Sequence, residues 1–202
     1  MKTTKAAILV ESRKPLVVDE IELPRVGAGQ VLVKILYTTI CGAQINEIDA
    51  VKGVDKFLPH LLGHEASGFV EDVGWGVSHV KPGDAVVLHW RPGVGEDARP
   101  KPYWRFSEFQ DVNAGCVTTF QEHAVVSANR VTRIPNDFNM KFAPLLGCAL
   151  TTALGVVEND AKIERGDSVL VFGAGGVGLP IIQFAALTGA SVTVVELNQE
   201  KK

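Results

Sequence analysis

The chain has 202 residues, with 20 Lys plus Arg against 23 Asp plus Glu and a formal charge of −3. Hydrophobic residues make up 46% and charged residues 21%, globular proportions that exclude low-complexity disorder. The slightly acidic balance, without a basic cluster, argues against a nucleic-acid binder. The length allows one large domain or two small ones.

The first apolar run, Ala6 to Val10, is too short for a signal-peptide core. Val31, Val33, Ile35 and Tyr37 alternate with Leu32, Lys34 and Leu36, the period of a strand. Turn signals follow at Val26 to Gly29, Lys81-Pro82-Gly83-Asp84 and Ile134-Pro135-Asn136-Asp137. Ala85 to Leu88 reads as a strand, and the Pro- and Gly-rich residues 91–102 as an exposed loop. Beyond residue 140 the pattern predicts an apolar helix over about 143–158, a short buried strand at 168–172, a helix at 177–188 and a strand at 191–196. That is one βαβ unit with parallel strands. A mainly β domain over 1–150 followed by an α/β segment over 151–202 results. Between Asp167 and Glu196 no residue is charged, a length that could span a bilayer. Its glycines, Pro180, Gln183 and change of period instead favour a strand, a turn and a helix packed on a sheet, with no membrane partner.

Strand residues 169–172 run into Gly173-Ala174-Gly175-Gly176-Val177-Gly178, a G-x-G-x-x-G loop entering a helix. Gly173 permits a tight turn, Gly175 lets backbone approach a pyrophosphate, and Gly178 allows close packing. The helix N-terminus offers N–H groups to an anion, and Pro180 fits its first turn. Glu196 follows Gly173 by 23 residues, placed to accept hydrogen bonds from an adenosine ribose and to repel a 2′-phosphate. NAD is favoured over NADP, and an S-adenosylmethionine site is the rival reading.

Three cysteines, Cys41, Cys116 and Cys148, are too few and too odd for a disulfide framework. They suit free or metal-bound thiols in a reducing, cytoplasmic setting. Cys41, His64 and Cys148 are candidate ligands, yet each singly has a structural explanation, and separations of 23 and 84 residues form no compact metal motif. His60 and His79 read as surface or loop residues. His89-Trp90-Arg91 reads as a packed aromatic beside a solvated Arg, with substrate contact as the alternative. Gln44 takes no assigned role.

The stretch Gly63-His64-Glu65-Ala66-Ser67-Gly68, continuing to Gly74, Val77 and Gly83-Asp84-Ala85-Val86, resembles the zinc signature of medium-chain alcohol dehydrogenases. Ile40-Cys41-Gly42, Leu146-Gly147-Cys148 with Thr151 to Gly155, Thr119 to His123 and the Gly173–Gly178 loop also look like that family's segments, in order along nearly the whole chain. The resemblance implies a mainly β, GroES-like catalytic domain followed by the first βαβ unit of a Rossmann domain. It implies one catalytic zinc on Cys41, His64 and Cys148, with a fourth position left open, and Glu65 as a nearby alternate ligand. Thr152 and Val177 match positions flanking the nicotinamide, beside Gly173, Gly175, Gly176, Gly178 and Glu196. The implied reaction moves a hydride between NAD(H) and a small alcohol, polyol or carbonyl compound, zinc activating the oxygen. Full-length relatives are expected to be homo-oligomers.

The chain also departs from that pattern. The family's structural zinc lobe carries four cysteines, and residues 89–115 hold none, so no structural zinc is expected and Cys116 reads as a packed thiol. Ala43 stands where many members carry a proton-relaying Ser or Thr, and Asn46 where some carry a histidine, so the alcohol proton is expected to leave through water. Two strands of about six in a Rossmann domain suggest a truncated chain that binds zinc but binds NAD weakly. The competing readings are a non-catalytic remnant, acting as a zinc-binding GroES-like fold, and a methyltransferase.

Overall fold

The computed structural model describes residues 2–201; Met1 and Lys202, the outer ends of the two expected domains, lie outside the described residues. The chain divides into two units, the first ending at Gly147 and the second beginning at Cys148.

The first unit is built on β1 (Thr3–Leu9), β2 (Val17–Glu22), β3 (Gln30–Thr38), helix α1 (Gly42–Ile48), β4 (His60–Leu61), β5 (Ala66–Val73), β6 (Ala85–Leu88), β7 (Tyr103–Arg105), β8 (Gln110–Val112), β9 (His123–Ser127) and β10 (Val131–Arg133). The strands form two five-stranded sheets, ordered β4-β1-β2-β7-β8 and β10-β6-β5-β3-β9, with antiparallel pairing throughout. Residues 91–102 contain no strand or helix, as their prolines and glycines predict.

In the second sheet β6 and the first half of β3 are buried on both faces. On β3, Val31 and Val33 enter one core with Val86, Leu88 and Val126, while Leu32 joins Ile8, Ile21, Tyr103 and Val112 in another. On β6, Val86 and Leu88 point into the first core, and Ala85 and Val87 pack against Ile134 and Ala143. This two-sided burial is why β6 reads as an unbroken apolar run. Each fully buried valine is worth roughly 1.5–3 kcal/mol relative to exposure.

The expected helix over 143–158 is broken. Ala143–Gly147 is a 3-10 turn, α2 spans Ala149–Gly155, and Val156–Asp160 winds as a π-helical turn. The break has a packing cause. A Cβ on Gly147 would lie 2.4 Å from the Leu88 carbonyl oxygen and 2.8 Å from Glu65 Cβ. The chain is thus pressed onto β6, and Cys148 leaves helical geometry at φ −147°, ψ −60°.

In the second unit, β11 (Ser168–Phe172) and β12 (Ser191–Val195) are parallel and joined through α3 (Gly178–Thr188). Gly189 ends α3 at φ +91°, the left-handed residue that commonly caps a helix. β11 is not the buried strand expected, because Leu170 is 54% and Phe172 75% exposed. Alternate residues of a strand face opposite sides, and here Val169 and Val171 are the more covered set. The long uncharged stretch therefore resolves into strand, loop, helix and strand. Among the described residues no helix is long and apolar enough to cross a membrane.

Candidate metal centre and its cavity

Cys41 is the N-cap of α1, with extended backbone at φ −92°, ψ 149°. Gln44, one turn on, closes a capping box: its side-chain oxygen accepts the Cys41 N–H at 3.0 Å. The other end of the same amide meets Nδ1 of His64. Gln44 is buried, so one side chain ties the two residues together. The sequence held a signal for it, since Cys41-x-x-Gln44 has the spacing of a cap followed by a capping-box glutamine.

His64 follows Gly63, which has φ +89°. A Cβ on Gly63 would lie 2.2 Å from Thr119 Oγ1 and 2.7 Å from Phe120 Cδ1. Only glycine fits, in conformation and in space, and this turn places the His64 ring. The ring is buried, and loss of solvent holds its pKa below the usual histidine value. Neutral imidazole is the form that binds metals. The ligand atoms of Cys41 and His64 lie within 4.8 Å of each other.

Nε2 of His64 is buried with no hydrogen-bond partner among the described residues. The Gln44 NH2 group can only donate, so Nδ1 accepts and the ring hydrogen sits on Nε2, where nothing receives it. A cation at Nε2 would take a lone pair there, with the ring hydrogen on Nδ1 and an acceptor rather than the Gln44 NH2 group turned to it. The donor chemistry also suits zinc, which takes thiolate and imidazole together. The residues present therefore fit the metal that the family resemblance implies.

Glu65 is buried, and its carbonyl accepts the Thr38 hydroxyl at 2.9 Å and the Thr39 N–H at 3.2 Å. Cys148 opens the second unit. It is one peptide bond from Gly147, whose carbonyl receives the Trp90 N–H at 3.3 Å. Ala43 and Asn46 lie exposed on α1, and Cys116 is half-buried.

A cavity of about 280 Å³ adjoins the site, and Gln44, Glu47, His60, His64, Trp90 and Thr118 are among its lining residues. Trp90 is not the packed aromatic expected. It is 60% exposed, its ring is tilted against His64 at 5.7 Å, and the Arg130 guanidinium sits 5.9 Å from its centre. The chain turns outward after β6, and this lifts the indole to the cavity rim. His89 is held instead: Nδ1–H donates to the Arg91 carbonyl at 2.6 Å and Nε2 accepts the Thr132 hydroxyl at 2.9 Å. His60 is no surface residue either. It lies in β4 and is 7% exposed, because pairing with β1 draws it inside. His79 is a half-buried loop residue bonded to the Ala128 and Val131 carbonyls.

In the second unit, Gly173 has φ +91°. A Cβ on Gly178 would fall 2.1 Å from the Gly173 carbonyl oxygen, so both ends of the loop require glycine. Gly175 and Gly176 face open space, and Val177 is the N-cap of α3. Glu196 follows β12, and its carboxylate accepts the Ala174 N–H at 2.6 Å and the Asn198 N–H at 2.8 Å. The Asn198 and Ala174 bonds hold its pKa below the usual carboxylate value. Thr152 lies on α2, its N–H bonded to the Cys148 carbonyl at 2.9 Å.

The chain is a β domain carrying a half-buried cysteine beside a buried histidine, followed by a glycine loop that leads from one of two parallel strands into a helix. Residues 27–136 match the alcohol dehydrogenase GroES-like domain, and the chain belongs to the zinc-containing medium-chain alcohol dehydrogenase family. It is 34% identical over 225 residues to alcohol dehydrogenase class-3 of Cereibacter sphaeroides, covering 98% of this chain and 59% of that one. It is also 34% identical to S-(hydroxymethyl)glutathione dehydrogenase of Saccharomyces cerevisiae, over 98% of this chain and 57% of the other. The fold superposes on an alcohol dehydrogenase zinc-binding domain protein from Burkholderia ambifaria with a TM-score of 0.88 at 23% identity, covering 99% of this chain and 60% of that one. The chain thus spans under two thirds of the length of these relatives.

Proposed function

We propose that the chain is the catalytic domain and first cofactor-binding segment of a zinc- and NAD-dependent alcohol or polyol dehydrogenase. The observation that carries this reading is the buried, unpartnered Nε2 of His64, on a ring with a nitrogen within 4.8 Å of the Cys41 sulfur. Cys41, His64 and Cys148 are the proposed zinc ligands, with Glu65 next to His64 in sequence as the alternate ligand. Gly147 is fixed against Glu65 and β6, so the next residue, Cys148, is tethered within one Cα–Cα step, about 3.8 Å. When bound, zinc supplies a Lewis acid for an alcohol or carbonyl oxygen, and the nicotinamide supplies the hydride acceptor or donor.

The chain's own residues do the rest. Gln44 orients the His64 ring and fixes the start of α1. Trp90 shields the His64 side of the cavity. Ala43 offers no group to take a proton, so the proton of the alcohol passes to water. Gly173, Gly175, Gly176, Val177 and Gly178 would receive the pyrophosphate, Glu196 the adenosine ribose, and Thr152 would flank the nicotinamide. Glu196 already holds the loop through the Ala174 N–H, which presets an acidic group at the ribose position and favours NAD. The exposed Leu170 and Phe172 accompany a lightly packed βαβ unit, and NAD binding by this chain is therefore proposed to be weak.

The test is NADH formation by the zinc-loaded chain across a panel of primary alcohols, polyols and sugar-derived substrates. Slow turnover that disappears in Cys148→Ser is expected. No turnover with any of them, together with no NAD binding, would leave the zinc-binding remnant as the better reading. Binding of S-adenosylmethionine in preference to NAD would favour a methyltransferase.

A further inference from the structure

A second cluster of metal-ligand side chains lies in the first unit, outside the Cys41–His64 pair. The ligand atoms of Glu47, Asp55 and His60 all lie within 4.8 Å of one another. His60 Nε2 is 2.8 Å from Asp55 Oδ2 and 3.9 Å from Glu47 Oε1. A tetrahedral cation with bonds of about 2.0–2.1 Å sets its ligand atoms about 3.3 Å apart, between these two separations.

The other ring nitrogen decides what lies between these groups. His60 Nδ1 is 3.0 Å from the Leu61 carbonyl oxygen. A carbonyl only accepts, so Nδ1 carries the hydrogen. Nε2 then faces a carboxylate with a bare lone pair, unless a second proton or a cation sits between them. The Nδ1–H to carbonyl bond is also the backing that metal-bound histidines usually have.

Charge favours the cation. With imidazolium, the trio carries one positive and two negative charges and keeps a net −1 beside the cavity. With neutral His60 and a divalent cation it is neutral, which matters for His60 and Asp55, whose side chains are only 8% and 12% exposed. The positions are also built rather than incidental. Asp55 Oδ1 accepts the Phe57 N–H at 2.8 Å, and the Phe57 carbonyl accepts from Asn113 Nδ2 at 2.8 Å. Glu47 lies one turn beyond Gln44 on α1, on the same helical face.

We propose that Glu47, Asp55 and His60 form a second divalent-cation site of nitrogen and oxygen donors, sharing the cavity with His64. The site is independent of the thiolate centre and of the catalytic reading. Glu47 and His60 line the cavity, so a cation there is open to an oxygen of a small molecule.

The test is the stoichiometry of zinc on the purified chain, paired with the electronic spectrum after cobalt substitution. The wild type is expected to bind one equivalent more than Asp55→Asn, and Glu47→Gln to weaken that equivalent at least tenfold. Glu47 is largely exposed on a short helix, so this second variant keeps the test valid if Asp55→Asn misfolds. Cobalt at this site gives no sulfur-to-metal charge-transfer band and stays bound in Cys41→Ser. Equal stoichiometry and affinity in the wild type and both variants would overturn the proposal. So would a nitrogen NMR spectrum showing both His60 ring nitrogens protonated in excess zinc. Loss of the charge-transfer band alone bears on the thiolate centre and leaves this site intact.

Discussion

At the scale of the residue, Gln44 joins the chemistry to the fold. Its amide serves a donor at Cys41 and an acceptor at His64, and only one of these suits a metal-bound imidazole, whose Nδ1 carries hydrogen. A carboxylate could accept from both. Gln44→Glu is therefore expected to bind zinc roughly tenfold more tightly, and Gln44→Leu roughly tenfold more weakly, the range seen for partners behind a ligating histidine. Competition with a chelator measures both. A weaker Gln44→Glu would show that the amide is not facing the metal-binding ring. The capping box was written in the sequence three residues after Cys41. The partnership with His64, 20 residues further on, was not, because nothing local encodes which buried amide meets which ring.

At the scale of the element, β3, β6 and the βαβ segment were legible because their patterns repeat over several residues. The two-residue β4 has no period to read, and His60 looked like a loop residue for that reason. The helix expected over 143–158 failed where tertiary packing overrode local propensity, at the Gly147 contact with β6. Two predictions belong here. Gly63→Ala must tolerate both φ +89° and a clash with Thr119, so a loss of about 2–4 kcal/mol is expected in chemical denaturation, with zinc affinity falling alongside. A second concerns β2 and β7. Arg105 is buried and its Nε–H donates to Asp19 Oδ2 at 2.7 Å, and Ser107 donates to the same oxygen at 2.5 Å. The Ser107 and Arg105 bonds hold the Asp19 carboxyl below its ordinary value of 3.8. A depressed native pKa adds stability above the unfolded value and loses it as pH falls through the native one. Asp19→Asn is expected to cost about 1 kcal/mol at neutral pH. The gap to wild type should close below pH 3.8, and a gap unchanged down to the acid transition would count against the ion pair.

At the scale of the molecule, the first unit carries the proposed metal ligands Cys41 and His64 and a cavity, and the second a glycine loop with an acid beside it. The turns that shape both parts were legible in residue motifs, since Gly63, Gly173 and Gly178 answer to steric or conformational demands that other residues do not meet. The cavity rim and the Glu47–Asp55–His60 cluster were hidden, because they assemble from α1, β4 and loops distant in sequence. In the proposed centre, thiolate and imidazole together hold one metal ion. Cobalt-substituted protein tests it most directly, through the sulfur-to-metal charge-transfer band. A band at one equivalent is expected in the wild type, strongly reduced in Cys41→Ser and in Cys148→Ser. A wild type that takes up cobalt without such a band would contradict it.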